Sequence, residues 1–210
     1  MSDVSQIEEL TYHPLSHPIP DLCHRTVVKG ATMGTNIAAA QVGGQRNIIY
    51  HGVRNNISGI YCCESTSNPQ CSTGNTDDNV AEGNNTGVLV LDHDKVFESS
   101  ALAAVRWGSW LVLYFQGNDL ALHYVVRMGK KWAWPNEVEQ SYPTRPVACT
   151  AVPGSPIAVA WDEGAVEPYV LVTYKGPGEN AGFTQIHHLL EIPQVGTQWQ
   201  KMTDCSIRVG

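Results

Sequence analysis

The sequence predicts an all-β fold: a β-propeller built from about three four-stranded blades per chain. Three observations carry this. Helical periodicity is nearly absent, while runs rich in β-branched and aromatic residues recur between Gly, Asn, Asp and Pro turns. The 210 residues include Gly 19 and Pro 12, a turn-rich count suited to many short strands. One pattern also recurs three times along the chain.

The strand runs come in order as Asn36–Gln41, Asn47–His51, Ile57–Cys62, Gly87–Asp92, Ala101–Trp107, Trp110–Gln116, Leu120–Val126, Pro156–Trp161, Tyr169–Lys175 and Phe183–Leu190. About fourteen short strands are expected in all. The stretch 64–85 is rich in Ser, Asn, Thr, Asp and Gly and reads as one long surface loop.

The repeat unit shows in three parallel readings. From Asn36 the chain runs N-I-A-A-A-Q-V, N-I-I-Y-H, N-I-S-G-I-Y; from Ala101, A-L-A-A-V-R-W, L-V-L-Y-F-Q, L-A-L-H-Y-V, G-K-K-W; from Pro156, P-I-A-V-A-W, V-L-V-T-Y-K, Q-I-H-H-L-L, G-T-Q-W. A leading strand precedes each start, at Thr26, Lys95 and Val147, and a fourth copy begins at Cys205. Four strands per repeat describe a propeller blade. The expected layout is a single propeller-type domain over 1–210, with repeats at approximately 26–94, 95–146 and 147–204. Three blades do not close a ring and would leave sheet edges open. The expectation is therefore a homodimer completing a six-bladed ring, or closure by the N-terminal region Leu10–Val28.

Composition narrows the function. Charged residues are 16% of the chain, against about 25% in an average globular domain. The net charge is −7, without a basic run, so no nucleic-acid partner is expected. No apolar stretch is long enough to cross a membrane as a helix. The N-terminal residues Met1–Leu10 are acidic and polar, unlike a signal peptide. Two N-x-S/T sequons, at Asn56 and Asn84, and six cysteines lean instead towards a secretory history. Cys63 and Cys71 are spaced for a local disulfide. No C-x-x-C, H-x-x-x-H, H-E-x-x-H, P-loop or G-x-S-x-G spacing occurs, so no metal, cofactor or hydrolase triad is expected. The string Asp92-His93-Asp94 follows a strand end and reads as a polar turn.

The segments A-L-A-A-V-R-W, L-V-L-Y-F-Q and G-K-K-W at Gly129–Trp132 resemble the blades of the fungal fucose-specific lectins of the Aleuria type, which are six-bladed propellers. The resemblance implies a sugar site in which an Arg on the second strand and a Glu on the third hold the sugar's hydroxyls and ring oxygen. An aromatic ring packs on the sugar's apolar side. Carried over by motif, the Arg position falls on Asn47, Val112 and Leu171, and the Glu position on Gly59, Tyr124 and His188. No repeat keeps the pair, so the resemblance implies a retained scaffold and a rebuilt site.

The replacements are aromatic and imidazole side chains. Small-molecule sites are commonly apolar with a few polar groups, so Asn47, Tyr50, His51, Tyr114, Trp107, Trp161 and Tyr174 are the candidate ligand-binding residues. His188, Tyr124, His123 and Arg127 are the candidate catalytic donors. Trp110, Trp132 and Trp134 add further rings. Each has a plainer role available: tryptophans and tyrosines pack blades, and a histidine is often a satisfied structural group. His187 and His188 are neighbours on a strand and face opposite ways.

Two functions follow. One is a cofactor-free biosynthetic enzyme of the cyclase or hetero-Diels–Alder kind, which holds an apolar natural-product intermediate in a near-attack geometry and polarises a carbonyl. The other is a divergent carbohydrate-binding lectin with altered sugar preference. Both take a small-molecule ligand or glycan as partner.

Overall fold

Left-handed backbone positions set the strand pairings. Gly43 and Gly44, at φ of 57° and 79°, close β3 (Ile37–Val42) onto β4 (Gln45–Arg54). Asn55 and Asn56, at 49° and 62°, close β4 onto β5 (Ile57–Thr66). Consecutive positive φ values make the tight hairpin turn that matches strand twist, and Gly and Asn tolerate them best. Asn56, half of one sequon, is thus a turn residue.

The computed structural model describes residues 4–13, 21–32, 35–66, 87–128, 131–133, 145–162, 169–177, 182–188 and 206–208. The chain forms three antiparallel sheets, as the repeat predicts. In the first, β3, β4, β5 and β6 (Val88–Asp92) follow one another across the sheet. A hairpin of β1 (Val4–His13) and β2 (Asp21–Thr32) joins it where Ala31 pairs with Gly52. In the second, β7 (Ala103–Trp107), β8 (Trp110–Gln116) and β9 (Ala121–Met128) run in order. Both β10 (Lys131–Ala133) and β11 (Arg145–Thr150) then pair with β9. The third is β12 (Ile157–Asp162), β13 (Tyr169–Lys175), β14 (Phe183–His188) and β15 (Ser206–Arg208).

Two differences from the sequence reading concern the leading strands. The strand at Val147 closes the second sheet as β11, and the one at Cys205 closes the third as β15. Each therefore ends a sheet rather than opening the next. The segment at Lys95 is not a strand: Lys95 ends a single 3-10 turn, His93–Lys95, and Val96 makes an isolated bridge to Gly117. Glu64–Thr66 belong to β5 rather than to a loop, and the rest of 64–85 lies outside the described residues. The sequence reading missed β1, whose Glu-rich run hides its alternation.

The inner strands β3, β7 and β12 lie side by side, and neighbouring sheets pack face to face along two seams. Alternation on each strand divides the faces. Ile49 of the first sheet packs with Leu111, Leu113, Phe115 and Val125 of the second in the first seam. Val112, Tyr114, Tyr124 and Val126 on the other face of the second sheet pack with Val170, Val172, Tyr174 and Ile186 of the third.

One polar device recurs in every sheet. Two residues before the repeat's first apolar position stands a hydroxyl: Thr35, Ser100 or Ser155. Its oxygen accepts the backbone N–H of His51 at 2.8 Å, Gln116 at 2.7 Å and Lys175 at 2.8 Å respectively. Ser100 and Ser155 are fully buried, so each bond gives a buried hydroxyl oxygen the partner it needs. From the same positions His51 and Gln116 reach into the chain leading to the following sheet. His51 Nε2 donates to Ser100 O at 2.9 Å. Gln116 Nε2 donates to Ala151 O and Val152 O, and its Oε1 accepts the Gly154 N–H.

Candidate functional site

Strand register corrects the motif count for the sugar positions. Asn47, Val112 and Leu171 occupy equivalent points on β4, β8 and β13, as the motif implies. On the third strands, Tyr124 pairs with Tyr114, and the matching residues are Cys62, which pairs with Ile49, and Gln185, which pairs with Thr173. Gly59 and His188 are therefore not the Glu positions. Gly59 has no room for any side chain, because a Cβ there would lie 2.2 Å from Leu91 O. By register His188 stands where the second sheet has Arg127: His188 pairs with Val170 as Arg127 pairs with Leu111.

The first seam holds a charged cluster made by two sheets. Asn47 and Glu64 are paired across β4 and β5 and share a face. Arg127 reaches them from β9 of the second sheet, donating to Asn47 Oδ1 through one terminal nitrogen and to Glu64 Oε1 through the other. Asn47 Nδ2 donates back to Ala40 O and Gln45 O, which fixes the amide's orientation. Cys62 Sγ lies 3.9 Å from Asn47 Oδ1, and burial pushes its thiol up to about 12, so it stays protonated despite the nearby guanidinium. Trp132 on β10 is half-buried, pairs in register with Arg127 and packs on the first-seam core. Arg127 is 5% exposed while the Glu64 side chain is 33% exposed. The cluster thus runs from the core to the surface, with carboxylate oxygens at its outer end. The sequence shows Glu64 only as the start of a surface loop and not as a site residue, because its partner Arg lies in the next repeat.

The second seam gathers seven of the named aromatics and imidazoles: Trp107, Trp110, Tyr114, Tyr124, Trp161, Tyr174 and His188. The Tyr114 hydroxyl and His188 Nδ1 lie 2.8 Å apart. His188 stands edge-on to Tyr124, with ring centroids 4.7 Å apart. Burial, with the Tyr124 hydroxyl second, pushes the Tyr114 hydroxyl well above its usual 10.0. Nearby, Trp107 packs on Trp110 at 5.4 Å and on Trp161 at 5.5 Å.

The remaining candidates stand apart from both clusters. Tyr50 faces away from the first seam, stacked on Tyr61. Its hydroxyl is buried without a hydrogen-bond partner, and burial raises it to about 12. His51 makes its bond to Ser100 O, and burial lowers it below 6.5. His123 is bound to Asp119 at 2.9 Å. Burial pushes the Asp119 carboxyl up, but the bonds from His123 and the Ala121 N–H outweigh it and hold the carboxyl below its usual value. Among the described residues no group of His, Cys, Asp or Glu gathers to hold a metal ion. Trp134, Cys71 and the side chain of His187 lie outside the described residues.

No protein-family model matches the chain, and no curated protein matches it. Among solved structures, AofleA from Arthrobotrys oligospora, crystallised with three arginines replaced by alanine, is similar in fold at a TM-score of 0.53 and 16% identity. The match covers 95% of this chain and 50% of that one, so this chain spans about half the neighbour's length. At that identity the likeness concerns the fold alone, and the fold is an all-β propeller.

Proposed function

We propose that the chain is a lectin-like binding module whose ligand is a hydroxylated ring, held at the outer end of the first seam. The observation that carries this reading is the Arg127–Glu64 pair with Asn47, assembled across two sheets. The Glu64 carboxylate at the surface can accept from neighbouring hydroxyls of one sugar, while the Arg127 guanidinium, anchored on the buried Asn47 amide, holds it in place. Trp132 beside Arg127 offers an apolar face for the ring's C–H side. The distant resemblance to fucose-binding propellers agrees in chemistry and differs in placement, since here the Arg comes from the following sheet. A glycan array tests it. Binding to a defined set of glycans that is lost in Glu64→Gln supports the reading; an array blank for the wild type sinks it.

A second reading, cofactor-free cyclisation of an apolar intermediate, rests on the Tyr114–His188 contact in the second seam. In it the Tyr114 hydroxyl is a hydrogen-bond donor to a carbonyl, and His188 sets its orientation. Turnover of a polyketide or terpenoid substrate that falls in Tyr114→Phe would favour it. Assembly belongs to the proposal as well. The outward face of the third sheet, with Ala158, Ala160, Lys175 and Phe183 exposed, would meet another sheet if two chains complete one ring. Sedimentation at the monomer mass would defeat that part.

A further inference from the structure

We propose a second, chemically different site at the tryptophan cluster of the second seam, which takes a flat, uncharged, largely apolar ring system with an oxygen acceptor. Three indoles from three strands meet there: Trp107 on β7, Trp110 on β8 and Trp161 on β12. Trp107 and Trp110 are perpendicular at 88°, and Trp107 and Trp161 are tilted at 59°. The rings deeper in this seam are fully covered: Tyr114 is 0% exposed and Tyr124 1%. The three indoles are only half-buried, at the edge of a core that includes Val112, Val126 and Val170.

Two features set the ligand class. Arg127, the one buried Arg, Lys, Asp or Glu among the described residues, lies in the first seam, and in the second seam the Tyr114 hydroxyl and the His188 ring bond to each other. A sugar would find few partners for its hydroxyls here, unlike at the first seam, whereas an aromatic ring gains stacking and loses little hydration. The second feature is Trp161 Nε1, a buried donor without an acceptor. Indole N–H groups that are buried normally have one, so a ligand carbonyl or ether oxygen completes the site. Trp161 is half-buried, and the proposal requires its ring to turn so that the N–H meets a ligand lying on the cluster.

The inference does not depend on the sugar reading, and one titration separates the two. Prodan, a neutral, flat naphthalene ketone whose emission shifts in apolar surroundings, is titrated into the full chain. Saturable binding of one equivalent is expected. Trp107→Ala should weaken it about tenfold, Trp161→Phe should weaken prodan more than unsubstituted naphthalene, and Glu64→Gln should leave it unchanged. If Trp107→Ala does not fold, judged by its thermal transition, Trp110→Leu takes its place. The proposal is overturned by the absence of saturable binding, by wild-type affinity in the folded tryptophan variant, or by displacement of prodan with methyl glycosides.

Discussion

Replacing Arg127 with Met removes the only described side chain that links Asn47 and Glu64 to the second sheet, at nearly constant volume. Breaking a fully buried ion pair costs about 3–5 kcal/mol, because the surviving charge is stranded. Glu64 is one-third exposed, so its carboxylate turns to water and most of that penalty falls away. Asn47 is 1% exposed; its Oδ1 keeps only the weak thiol contact, a loss of about 1–3 kcal/mol. The sum expected is about 2–3 kcal/mol, or roughly 4–12 °C in Tm for a chain of this size. Urea unfolding of wild type, Arg127→Met, Glu64→Gln and the double variant forms a cycle. The expected coupling is about 1 kcal/mol, and Arg127→Lys should fall between wild type and Met, because an ammonium cannot serve both acceptors in a fork. A coupling within about 0.3 kcal/mol of zero, the scatter of independent sites, would refute the contact.

Other outcomes follow from the fold. Ser155→Ala should destabilise by about 1 kcal/mol by removing the acceptor of the Lys175 N–H, measured by urea unfolding. Gly59→Ala should be worse, because its Cβ would sit 2.2 Å from Leu91 O; loss of the cooperative thermal transition checks it. His51 titrates below its usual 6.5 in the fold, so the unfolded chain binds its proton first and stability falls as pH drops below 6.5. Stability-against-pH curves of wild type and His51→Gln, the residue found at the equivalent point in the second sheet, should converge at acid pH after separating near neutrality. Leu113→Ala, at a fully buried first-seam position, should cost about 2–5 kcal/mol by calorimetry.

The propeller was legible because its signals are local. Period-two alternation and Gly–Gly or Asn–Asn turns mark the hairpins, and the triple pattern marks the sheets. The fourth strands were misassigned because a short edge strand such as Ser206–Arg208 carries no sign of which sheet it joins. The hydroxyl staple was visible in principle, as Thr35, Ser100 and Ser155 stand at one offset in the three repeats. The first-seam cluster was not. Searching each repeat for its own Arg and Glu found neither, since the guanidinium arrives from the next sheet. Counting from an isoleucine also misplaced the third-strand positions, and only register put Cys62 and Gln185 in line with Tyr124. The aromatic set read as one pocket is divided because successive residues on a strand face opposite seams, which sends Tyr50 away from Asn47.

The most direct test of the binding account watches the Arg127 guanidinium itself. Nitrogen-resolved NMR spectra of the full chain are followed as methyl glycosides of fucose, galactose, mannose and glucose are added, with Arg127→Lys identifying the resonance. The account predicts that a glycoside that binds shifts the Arg127 side-chain signal and leaves the Trp107 and Trp110 indole signals in place. A glycoside that moves the indoles while Arg127 stays still would contradict it.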